Sequence, residues 1–158
     1  MKNILTILVW LCFANSAQAQ TWSIVDSEAT VIDKNNVRFQ VGCGRFMTLS
    51  LSKGEIGEMA VSSGDFIIKL NGEIALKTTA SIYKNGAFIV TGRQDDKAIF
   101  QLVRKLVSGS GSITVKYDGE PKTTDTSLAG TFDLTGAPEA IKDVVELWCS
   151  DIGTKLGF

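Results

Sequence analysis

The chemistry open to this chain is bounded first by a missing residue type: none of its 158 residues is histidine. That removes Ser-His-Asp and Cys-His nucleophilic catalysis, imidazole acid–base work and almost every common zinc site. Carboxylates remain, and Asp65, Glu73 and the pair Asp95-Asp96 are the candidates for glycosidase chemistry, which needs two carboxyl groups facing one cleft. Asp95-Asp96 also stands where a helix is expected to start, and capping its free N–H groups is the reading favoured there. Glu55 and Glu58 fall in a glycine-rich stretch and read as solvated. Asp118 and Asp125, with nearby threonines, offer oxygen ligands, but their spacing matches no EF-hand loop. The run from Ser108 to Ser112 looks like a phosphate loop with its context reversed, because phosphate loops lead from strand into helix. Arg38, Arg45 and Arg93 offer an anion or partner surface without a specific motif, and Trp22 and Trp148 read as core or rim anchors. From this inventory we expect no catalytic residue, no metal ligand and no cofactor site.

The amino terminus explains the cysteines. Met1-Lys2-Asn3 is a short basic start, Ile4 to Ala14 is an apolar run broken only by Thr6, and Asn15 to Ala19 closes it with small residues. That is the pattern of a secretory signal cut after Ala19. The apolar run is about half the roughly 20 residues a membrane-spanning helix needs. Cys12 raises lipoprotein processing, but Leu11 stands where a lipobox wants Gly or Ala. The expected product is a single domain, residues 20–158, carrying 15 basic and 17 acidic side chains once Lys2 is lost. That balance points to neither nucleic acid nor an anionic membrane, and no membrane span is expected after cleavage. Cys43 and Cys149 remain, and in an oxidising compartment such a pair usually forms a disulfide. Its loop would be 106 residues, which in the chain-entropy model contributes a little under about 5 kcal/mol. Two free thiols or half of a metal site are the alternatives.

The elements that would position these residues follow from turn signals and period. Asn71-Gly72 separates Phe66–Leu70 from Glu73–Tyr83, and Asn85-Gly86 leads into Ala87–Thr91, which predicts a three-stranded meander. In its middle strand Ile74, Leu76, Thr78, Ala80 and Ile82 share the buried face. Further strands are expected at Trp22–Val25, Val37–Val41, Phe46–Leu51, Ile113–Tyr117 and Leu128–Leu134. Helical spacing appears over Asp95–Val107, through Ile99, Leu102, Val103, Leu106 and Val107, with Arg104 and Lys105 in the last turn. It returns over Pro138–Cys149, through Ile141, Val144, Val145 and Trp148. The fold class is α+β: a mostly antiparallel sheet, as a sandwich or partial barrel, with two helices packed on it and one disulfide.

Several features also resemble a family. They are the early Trp22, Ala98-Ile99-Phe100 before Ser112-Ile113-Thr114-Val115, then Ala129 to Gly136 with Phe132-Asp133-Leu134-Thr135, Ala140-Ile141 and a closing Trp148-Cys149. This order is similar to that of periplasmic proteins related to invasion-associated locus B and to the TagO/VasI accessory proteins of type VI secretion. The fuller cysteine sets of locus B proteins are absent. The resemblance implies a non-enzymatic envelope or secreted module acting through protein contacts, and it carries over no catalytic residue.

The expected function is therefore a periplasmic or secreted bacterial protein that binds another envelope or secreted protein and is not an enzyme. One alternative is an inhibitor of a secreted enzyme such as lysozyme, with Lys53–Gly64 as its inserting loop. The other is a carboxylate-based glycan hydrolase.

Overall fold

A computed structural model describes residues 20–91, 96–120 and 126–149. The signal stretch, Arg93, Asp95 and Asp125 lie outside the described residues. In chain order the strands are β1 (Ser23–Val25), β2 (Glu28–Ile32), β3 (Arg38–Cys43), β4 (Met47–Ser52), β5 (Ala60–Leu70), β6 (Glu73–Tyr83) and β7 (Gly86–Val90). Helix α1 (Asp96–Ser108) follows, then β8 (Ser112–Gly119), β9 (Ser127–Asp133) and helix α2 (Ala137–Trp148). All nine strands form one sheet in the order β1-β2-β3-β4-β7-β6-β5-β8-β9, and every neighbouring pair is antiparallel.

Period-2 alternation sends one face of each strand inward. Phe39 and Val41, Leu49 and Leu51, Ile113 and Val115, and Phe132 are all fully buried. A sheet this long curls under its own twist. The ring of Phe39 on β3 meets that of Phe132 on β9 at 5.8 Å, although five strands separate theirs in the sheet order. The result is the partial barrel, not the sandwich. Its two end strands do not pair. Each helix buries the stripe its spacing marks: Ile99, Leu102, Val103 and Leu106 on α1, and Ile141, Val144 and Val145 on α2. Pro138 sits in the first turn of α2, where its missing N–H costs nothing.

Four readings from the sequence need correction. Strand β2 was not legible, because the hairpin that starts it turns through Asp26 and Ser27, both at positive φ (50° and 68°) with no glycine. Thr30 on its outer side is also buried, so its alternation is lost. The second meander turn is Lys84-Asn85, and Gly86 opens β7, since a Cβ there would press on Ile56 and Ser52. Ile74 lies at the end of its face and is 63% exposed, and Trp148 has left the α2 stripe at 54%. Finally, the stretch Lys53–Gly64 is not one loop. Its second part belongs to β5, paired with β6 from Ala60 onward. Its first part is pinned to the β6–β7 turn: Lys53 N–H donates to the Asn85 carbonyl at 2.9 Å and Gly57 N–H to the Lys84 carbonyl at 3.0 Å.

Candidate functional site

The disulfide ties together two segments that each expose large apolar side chains. Cys43 ends β3 and Cys149 caps α2, and their bond holds the two Cα atoms 5.7 Å apart. The Gly44 carbonyl oxygen lies 3.0 Å from Cys149 Sγ, a contact without a proton because an oxidised sulfur has none to give. Between β3 and β4 the chain turns tightly through Gly44-Arg45-Phe46, closed by Gly44 N–H on the Phe46 carbonyl at 3.1 Å. Phe46 is left 45% exposed with the Arg45 guanidinium 5.6 Å from its ring centre. On the other side of the bond, Leu147 and Trp148 complete the last turn of α2, at 71% and 54% exposure. Three large exposed apolar side chains thus lie within three residues of one covalent staple. Helical period accounts for Leu147, which falls off the buried stripe. Only the disulfide explains why Phe46, a hundred residues away, belongs with it.

A second cluster lies on the outer face of β2, β3 and β4. Glu28 stands opposite Gly42, whose missing side chain makes room for the carboxyl: a Cβ there would lie 2.6 Å from Glu28 Oε1. Gln40 Nε2 donates to Glu28 Oε2 at 2.6 Å, and Ser50 Oγ reaches Gln40 Oε1 at 3.5 Å. Thr30 adds its hydroxyl near the same amide at 3.3 Å. Burial raises the Glu28 pKa above its ordinary value, the Asp26 charge adds to the rise, and Arg38 opposes it. This gives one acid that holds its proton more readily than usual, tied through Gln40 to the hydroxyls of Thr30 and Ser50.

Among the described residues, the candidate carboxylates Asp65 and Glu73 are not gathered into one cleft. Asp65 stands opposite Thr79 and Glu73 opposite Leu70, so six positions of β6, about 20 Å at strand rise, separate them. Asp65 instead faces Asp118 across β5 and β8, and a lysine neutralises each: Lys77 at 3.0 Å from Asp65 and Lys116 at 3.0 Å from Asp118. Ser127 Oγ also donates to Asp118, at 2.8 Å. Asp96 opens α1, while Glu55 and Glu58 are exposed, as expected. Among the described residues no group of three or more Cys, Asp or Glu side chains could hold a metal ion. The Ser108–Ser112 run does join helix to strand. Asn71 fixes it, its amide donating to the Ser110 carbonyl at 3.1 Å and accepting from Ser112 N–H at 3.0 Å. Arg38 serves the Glu28 cluster and Arg45 the Phe46 ring, so the two do not form one anion surface.

Trp22 is a core anchor, 6% exposed, with its ring edge-on to Phe39 at 6.0 Å. Its indole N–H donates to the Asp133 carbonyl at 2.8 Å. Gln20 works beside it, donating from Nε2 to the Thr131 carbonyl at 3.2 Å and accepting the Asp133 N–H at 2.8 Å. A side-chain amide here bonds the outer side of β9 as a neighbouring strand's peptide would. No motif or periodicity along the chain marks that role for Gln20.

Among the described residues no helix is long and apolar enough to cross a membrane. No family model matches the chain, and neither a curated protein nor a solved structure is significantly similar to it.

Proposed function

We propose that this chain is a non-enzymatic extracytoplasmic protein that acts by binding another protein through the tip formed by Phe46, Leu147 and Trp148. The observation that carries this reading is the exposure of those three side chains around the Cys43–Cys149 bond. Large exposed apolar side chains near one another mark contact sites, and aromatic residues and Arg are enriched in interfaces. The staple supports it further, since a site fixed by a covalent bond loses little conformational entropy when a partner docks. Export to the periplasm or beyond, expected from residues 1–19, supplies the oxidising setting in which such a bond persists. The absence of histidine from the sequence favours binding over hydrolysis. The resemblance to secretion accessory proteins makes an envelope or secreted protein the preferred partner.

The test is capture from envelope extracts by the wild-type protein and by a Leu147→Asp, Trp148→Ser double variant. Loss of a buried Trp anchor costs about 2 kcal/mol or more, so capture should fall at least about thirtyfold. Equal capture by a correctly oxidised, folded variant would rule the tip out.

A further inference from the structure

The first strand of the sheet carries a second docking feature. Val25 and Glu28 flank the two-residue turn Asp26-Ser27, so this pair exchanges both of its hydrogen bonds, and the next pair, Ile24 and Ala29, exchanges none. The Ile24 N–H and C=O therefore point away from β2, to a side on which the sheet has no further strand among the described residues. Neither Lys nor Pro guards this edge, which consists of Ser23, Ile24 and Val25. Ile24 and Val25 are 43% and 41% exposed. Helix α2 packs over β1, β2 and β3 while α1 packs toward β6, so the flank of α2 that α1 leaves uncovered borders the β1 edge. The surroundings are acidic on balance: Asp26 and Glu28 stand at the end of β1 with Arg38 near Glu28, and α2 exposes Asp143 and Glu146 against Lys142.

We infer that the β1 edge accepts an extended, basic segment of a partner protein as a tenth strand. Backbone bonds to Ile24 would set its register, and its alternate apolar side chains would share the face on which Ile24 lies. A row of unpaired N–H and C=O groups fits another strand, and the carboxylates around it select Lys or Arg on that strand. A second copy of this chain fits less well, because it would bring the same carboxylates to the same edge. This inference rests on the protein-binding reading and names a partner class for it.

The test selects phage-displayed random dodecapeptides on the immobilised, oxidised protein and titrates the enriched peptides into ¹⁵N-labelled protein. Enriched peptides should alternate β-branched or aromatic residues with polar ones, and should carry Lys or Arg. On binding, the Ile24 amide should shift and gain protection from hydrogen exchange. Of the backbone hydrogen-bonding groups Ile24→Pro removes only an N–H that points outward, a change an edge strand tolerates, and it should weaken binding at least about tenfold without lowering the unfolding midpoint. Ile24→Thr should bind within about twofold of wild type, since it keeps the N–H and the β-branch. The inference is overturned if no peptide is enriched, if Ile24→Pro binds as wild type, or if the protected amides belong to β9. Self-association that Ile24→Pro abolishes would assign the edge to a second copy and overturn it as well. If peptides fail while the Leu147→Asp, Trp148→Ser variant still loses its partner, strand addition falls and the protein-binding reading stands.

Discussion

The two ends of the sheet, β1 and β9, face the same physical problem and meet it differently. Each is paired on one side only, and an unpaired row of backbone groups invites another chain. On β9 the row is occupied: Gln20 bonds the Thr131 carbonyl and the Asp133 N–H, and Trp22 takes the Asp133 carbonyl. Both caps come from the three residues just before β1, so the chain uses the approach to one edge to close the other. On β1 the outward groups of Ile24 have no such cover, and the side chains beside them are apolar. A capped edge contributes to stability, whereas an open one is available for recognition. Variants at the two edges should therefore separate stability from binding.

The largest effect expected is at Trp22. Trp22→Ala empties a core site against Phe39 and strips the cap from Asp133, and should cost about 3–5 kcal/mol. Denaturant unfolding checks this, and a loss below about 1 kcal/mol would mean that the seam does not hold the fold. Next is the staple: Cys43→Ser with Cys149→Ser should cost about 2–5 kcal/mol and free the end of α2 that lies over the β1 side. A midpoint within a degree or two of wild type would show that α2 is held by packing alone.

Glu28, beside the open edge, gives a pH signature. Its folded pKa is raised from 4.5, so between the unfolded and folded values the native state binds more protons, and stability falls as pH rises through that window. Below the window the contribution is intact. Glu28→Gln keeps the Gln40 bond without the charge, so it should flatten the stability curve just above pH 4.5 and be the more stable form at neutral pH. Parallel pH profiles of the two proteins would contradict the assignment.

The smallest stability effects separate the two edges most sharply. Gln20→Ala removes two part-exposed hydrogen bonds and should cost about 0.5–1.5 kcal/mol. Ile24→Pro should stay within about 0.5 kcal/mol of wild type. If Ile24→Pro instead destabilised the protein more than Gln20→Ala did, the β1 edge would be the structural one and the comparison would reverse.

Much of the architecture could be read along the chain. Asn71-Gly72 marked the central hairpin because both residues adopt positive φ at little cost, at 49° and 88° here. The stripes of α1 and α2 showed their buried faces by helical period, and compartment reasoning paired Cys43 with Cys149. Less of the candidate site was legible. Phe46 and Leu147 carry no shared motif, and β2 stayed hidden because Asp26-Ser27 turns without glycine and Thr30 is buried on the outer face.

The division between sequence and structure follows the range of the forces involved. Periodicity, turn chemistry and the lack of histidine are local or compositional, and they alone determined the fold class, the helix faces and the exclusion of imidazole chemistry. Tertiary structure decided what depends on curl. It brought Gln20 and Trp22 onto β9 more than a hundred residues away and left β1 bare. It also joined, through the disulfide, the segments that carry Phe46 and Trp148. Those juxtapositions come from the accumulated twist of nine strands and from one covalent bond, and no window of neighbouring residues contains either.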